Sequence, residues 1–127
     1  ILAKTLHRMQ SAYGTRGTDV IACIGPGISF DSFEVGDEVY EAFRTENFPM
    51  EYISVWKPET HKYHIDLWAA NRLQLSDFGV PPRQIENAGI CTYRQHEGFF
   101  SARRLGIKSG RILSGIMLNG QEKGERK

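Results

Sequence analysis

The hydrophobic and polar positions alternate in two distinguishable rhythms along this chain. Placed on a helix at about 100° per residue, Leu2, Thr5, Leu6, Met9, Ala12 and Tyr13 share one face, while Lys4, His7, Arg8 and Gln10 lie elsewhere. The pattern predicts a helix over residues 1–13, stopped by Gly14. No Ser, Thr, Asp or Asn precedes Ile1 to cap it, so the expectation is a helix that began earlier in a longer polypeptide. Asp19 to Ile24 reads as a buried strand broken by Gly25-Pro26-Gly27, and Phe30 to Val35 as a short extended or turning segment. Gly36 to Glu46 reads as a short helix with Val39, Ala42 and Phe43 inward, and with Asp37 and Glu38 suited to the positive end of its dipole. Met50 to Trp56 alternates as a strand, and Pro58 to Lys62 is a polar loop.

Asp66 then predicts a helix cap. The helix from Leu67 to Phe78 carries Leu67, Trp68, Leu75 and Phe78 on its apolar face, with Asn71 in the middle of it. Gly79 ends that helix, and Pro81-Pro82 prevents its resumption. Ile85 to Cys91 and Arg111 to Leu118 read as strands, with polar Thr92 to Gly98 and basic Phe99 to Gly110 between them. The order predicts an α/β (α+β) fold, a mixed sheet layered with helices. Residues 1–118 are expected to form part of a single domain and 119–127 a flexible charged tail.

Composition narrows the classes. In 127 residues, 40% are hydrophobic and 24% charged, the balance of a globular domain. A net charge of +1 gives no electrostatic reason to expect nucleic acid or an anionic membrane as partner. No apolar run approaches the roughly 18 residues of a membrane span. The two cysteines, Cys23 and Cys91, sit in apolar runs and are expected as buried free thiols, which fits a reducing, cytoplasmic setting.

Candidate chemistry is sparse. His61 and His64 are three apart, but no second Cys/His pair at ligand spacing accompanies them, so they are read as an exposed loop histidine and a partly buried one, not as ligands. Four scattered histidines do not build a trinuclear copper centre. Gly25-Pro26-Gly27 is either a tight turn or an anion-approaching loop, without a phosphate-loop motif. Arg103 and Arg104 follow Phe99 and Phe100, a pattern able to hold phosphate beside a stacked base or to form ordinary ion pairs. Asn71 is either a hydrogen-bonded core residue or a pocket residue, and Tyr93 leaves a strand end, where sites gather.

Several blocks resemble the C-terminal half of the YfiH family, also called the multicopper polyphenol oxidase or laccase-domain family. They are Ile24-Gly25-Pro26-Gly27-Ile28-Ser29 with Phe33-Glu34-Val35-Gly36, Tyr63 to Arg72 (YHIDLWAANR), Gly89 to Tyr93 (GICTY), Phe99 to Arg104 (FFSARR) and Gly110-Arg111. The resemblance implies a CNF1/YfiH-like fold incomplete at its N-terminus. The family's His-Ala-Asp-Cys and His-Ala-Gly-Trp-Arg-Gly blocks do not occur here. The resemblance therefore places the catalytic and metal-binding residues upstream of Ile1, and assigns neither role to Cys23, Cys91, His61 or His64. It implies a parent enzyme that binds zinc or copper, phosphorolyses adenosine, inosine or methylthioadenosine, and deaminates adenosine. The alternatives are a copper-dependent polyphenol oxidase and a non-catalytic half that needs its N-terminal part. In the first reading the partners are a purine nucleoside, phosphate, the missing N-terminal half and, in a homo-oligomer, a second copy of the protein. Arg103 or Arg104 would then meet phosphate, Phe100 or Tyr93 the base, and Asn71 would orient a neighbour. This segment alone is expected to bind no metal.

Overall fold

The computed structural model describes residues 1–120. The predicted tail lies outside these from residue 121 onward. The elements in chain order are α1 (Leu2–Tyr13), β1 (Ala22–Ile24), β2 (Glu34–Val35), α2 (Asp37–Thr45), α3 (Met50–Ile53), β3 (Ser54–Lys57), β4 (Lys62–Ile65), α4 (Leu67–Asp77), β5 (Ile85–Asn87) and α5 (Ala102–Leu105). The class is mixed α/β. β1 and β5 pair in parallel, and β2, β4 and β3 form an antiparallel sheet in that order.

α4 is the beam between the two halves. Asp66 caps it as its sequence predicts, Oδ1 accepting from the Ala69 amide at 2.9 Å. Leu75, with Trp68 and Phe78, packs into a core of Leu6, Ile24, Val80 and Ile85 below the parallel pair. Ala70, Leu67 and Leu73 pack into a second core of Val35, Met50, Ile53 and Ile65 below the antiparallel sheet. The single apolar face predicted for this helix is therefore two faces, and Leu67 belongs to the second. α1 lies against α4. The Gln74 carboxamide of α4 accepts from the Ala3 amide at 3.1 Å, which satisfies one of the open N–H groups of the first turn of α1. Only Leu2, Leu6 and Met9 of the predicted α1 face are packed, whereas Thr5, Ala12 and Tyr13 are exposed.

Other expectations are corrected. Met50 to Ile53 is helical, entered through Pro49, and only Ser54 to Lys57 is strand. Pro suits a helix start because its missing N–H has no partner to lose there. Lys62 to Ile65, read in part as loop, is the central strand of the antiparallel sheet, reached through His61 at φ 54. In α2, Val39 and Phe43 face the core as predicted, but Ala42 is exposed and Tyr40 is inward instead, stacked on Tyr63 with ring centroids 3.9 Å apart. Cys91 is buried, but Cys23 is exposed: in β1 the alternation turns Ala22 and Ile24 to the core and Cys23 to the opposite face. Residues 111–118, predicted as a strand, form no regular element. An extended segment becomes a strand only by pairing, and among the described residues none pairs with it.

Candidate functional site

The chemistry-bearing residues gather where the parallel pair ends. Gly25-Pro26-Gly27 follows β1, and Gly27 bridges Cys91 in parallel, its amide donating to Ile90 O at 3.1 Å and its carbonyl accepting from Thr92 N at 3.3 Å. None of these glycines lies at positive φ, so the loop is a tied-down turn and not a left-handed anion nest.

Cys91 sits under this turn. Its sulfur accepts from the Ser29 amide at 3.3 Å and meets the Ser32 hydroxyl at 3.8 Å. Burial pushes the thiol up. The Ser29 hydroxyl and amide, the Arg94 amide and the Ser32 hydroxyl outweigh it and bring it down to about 7. The Ser29 hydroxyl is near enough to favour the thiolate yet is itself buried without a hydrogen-bond partner of good geometry. The lowered value has a consequence for stability. The folded state deprotonates near 7 and the unfolded chain near 9, so the stabilisation is absent below about pH 7, grows between 7 and 9, and is complete above. The melting temperature of the wild type, taken relative to that of Cys91→Ala, is expected to rise between pH 6.5 and 9. A flat difference would remove the thiolate from this account.

The paired arginines point their hydrogen bonds at backbone. Arg103 Nη1 donates to Glu34 O at 2.6 Å, and its guanidinium lies 5.2 Å from the Phe33 ring centroid. Arg104 Nε donates to Tyr93 O at 3.2 Å, and its guanidinium covers the Tyr93 ring at 4.4 Å. Buried Ser101 caps α5, the helix that carries both arginines, by accepting from the Arg104 amide at 3.3 Å. Among the described residues neither arginine pairs with a carboxylate. Phe100 stands apart from them, half-exposed on the wall of a concavity of about 420 Å³. Asn71 is farther still. It lines two concavities of about 980 and 570 Å³, one bounded by α1 and the end of α2 and the other by α1 and β1. The structure thus brings Arg104 and Tyr93 together, and leaves Phe100 and Asn71 on different walls.

His64 is half-buried in β4, with Nδ1 donating to Phe30 O at 2.9 Å and Nε2 3.4 Å from Glu34. His61 is exposed at the hairpin turn. Among the described residues no three His, Cys, Asp or Glu side chains come together as a metal site would require.

Residues 1–119 match the family model described as multi-copper polyphenol oxidoreductase laccase. The chain belongs to this family. It is 64% identical over 119 residues to a purine nucleoside phosphorylase of Bacteroides thetaiotaomicron, covering 94% of this chain and 44% of that protein. It is 46% identical over 115 residues to the adenosine deaminase RL5 of an unknown prokaryotic organism, covering 91% and 44%. The crystal structure of the Bacillus licheniformis hypothetical protein YfiH superposes with a TM-score of 0.75 at 30% identity, covering 84% of this chain and 40% of that one. The laccase-domain chain thus spans less than half the length of these relatives. No helix among its described residues is long and apolar enough to cross a membrane.

Proposed function

We propose that the chain is the C-terminal part of a cytoplasmic, metal-associated purine nucleoside enzyme, acting on adenosine, inosine or methylthioadenosine by phosphorolysis and on adenosine by deamination. The 64% identity to a purine nucleoside phosphorylase carries the reading. The likeness to an adenosine deaminase supports the second activity. Phosphorolysis needs a pocket for the base, an anion site and a proton source for the departing base. In this reading Arg103 and Arg104 offer phosphate the N–H groups not engaged by Glu34 O and Tyr93 O. Each guanidinium is already held by one hydrogen bond and one ring, so little freedom is lost on binding. Phe100 or Tyr93 meets the base, and Asn71 orients a neighbour.

The described residues do not fit a zinc or copper ion. Its ligands, and the catalytic residues, are therefore proposed to lie in the additional polypeptide that the longer relatives possess. The uncovered surface supports such a partner: Ile21, Ile116, Met117 and Leu118 are all exposed, and β1 is paired along one edge only. A second copy of the chain is the other candidate for that surface.

The family description favours a second reading, copper-dependent oxidation of phenols. Metal content and visible absorbance of the protein extended by the N-terminal region of its Bacteroides relative separate the two. A nucleoside enzyme holding zinc shows no visible bands, whereas a multicopper oxidase shows intense ones. In the same protein, joint Arg103→Ala and Arg104→Ala substitution is expected to raise the KM for phosphate roughly tenfold, the loss of a charge-assisted contact. An unchanged phosphate dependence removes both arginines from the anion site.

A further inference from the structure

The concavity beside Phe100 lies at the carboxyl ends of the parallel strands. Pro26 is the second residue after β1, and residues 96–100 follow β5 through the Gly27–Cys91 bridge. Ligands of parallel α/β sheets collect at this end, where the strands open into loops. At about 420 Å³ the concavity is of the size of a small-molecule site. Its walls include Pro26, His96, Glu97, Phe100, Arg111 and Leu113.

Two of these side chains are fixed by the same tight turn. The Phe100 ring is 54% exposed yet backed by bare backbone, since a Cβ on Gly110 would lie 2.8 Å from its Cε2. Arg111 Nη1 donates to Ser109 O at 2.6 Å and to Gly110 O at 3.2 Å, which pins the guanidinium to the turn that supports the ring. Among the described residues Arg111 and Glu97 make no ion pair, with each other or elsewhere, although both line the same concavity. The result is a flat ring, a fixed donor-only cation and an unpaired carboxylate around one space. The concavity between α1, β1 and α4 is larger, but no charged side chain lines it, and the Nε1 of its Trp68 is buried.

The geometry points to the Phe100 concavity as the nucleoside subsite, in which Phe100 stacks on the purine, Arg111 donates to N7, and Glu97 accepts from the ribose hydroxyls. Every base presents a π-face to a ring. N7 is an acceptor in every natural purine, and arginine offers only donors. A carboxylate is the usual partner of a ribose hydroxyl. This inference rests on the nucleoside reading above, and names its base and sugar contacts.

Calorimetric titration of the protein extended by the N-terminal region of its Bacteroides relative tests it, with the circular dichroism of each variant reporting that it is folded. The probes are adenosine, 7-deazaadenosine, which lacks the N7 acceptor, and 2′,3′-dideoxyadenosine, which lacks both hydroxyls. Phe100→Ala, Arg111→Ala and Glu97→Gln are each expected to weaken adenosine roughly tenfold. The 7-deaza probe is expected to lose nothing further in Arg111→Ala, and the dideoxy probe nothing further in Glu97→Gln, since each pair removes one contact from both sides. Fully additive losses overturn the assigned contacts. If adenosine binds with unchanged affinity to all three variants and fails with Asn71→Ala, the nucleoside reading stands and the placement is wrong. If no nucleoside binds while catechol binds in a Phe100-dependent way, the pocket is real and the nucleoside assignment is wrong. If nothing binds, the inference is overturned, and base release by the extended protein decides the nucleoside reading separately.

Discussion

Gly17→Ala is expected to lower the melting temperature by more than about 10 °C, the consequence of a loss of about 3 kcal/mol or more. Gly17 is buried, and a Cβ there would lie 2.2 Å from the carbonyl carbon of Gly79 and 2.4 Å from its oxygen. Neither side has room to yield. Gly79 stands at φ 96 in the turn that ends α4, its amide bonded to Ser76 O at 2.9 Å and the next amide, Val80 N, to Leu75 O at 3.0 Å. Val80 and Leu75 are 2% and 4% exposed, so moving Gly79 drags the core below the parallel pair. A domain this small has only about 5–15 kcal/mol of stability to lose. Gly14→Ala provides the contrast. Gly14 also sits at positive φ, but its Cβ would meet open space, so the cost is the backbone strain alone, about 1 kcal/mol. Thermal unfolding followed by circular dichroism ranks the two, and a Gly17→Ala melt within a few degrees of wild type would show that the two glycines do not touch.

How far the fold was legible depends on whether its cause was local. α4 was legible because the Asp66 carboxylate caps its start and Gly79 stops it by adopting a positive φ, both local properties of those residues. α1 was legible through its period, yet the far end of its face, Ala12 and Tyr13, is exposed because coverage depends on what lies opposite. β4 was hidden because its hairpin turn uses His61 in the left-handed region, where glycine or asparagine is the usual signal. Residues 111–118 carry the apolar content of a strand, but composition describes a capacity that only a pairing partner realises. The site divides the same way. Motif blocks pointed to Phe100, Tyr93, Arg103 and Arg104, while the capping role of Ser101 and the position of Arg111 beside Phe100 come from tertiary packing.

The second large effect concerns activity. The 127-residue chain brings together walls, a turn and fixed arginines, but among the described residues no cluster able to hold a metal. Binding surfaces without activating groups orient a substrate and leave most of the barrier in place. Release of free base from adenosine or inosine in phosphate buffer is therefore the decisive measurement, made on this chain beside a protein that adds the N-terminal region of its Bacteroides relative. Release by the extended protein is expected to be about a thousandfold or more above that of the chain alone, which should stay at background. Equal release by both would contradict it, because the catalytic residues would then lie within these 127, and release by neither would contradict the nucleoside reading itself.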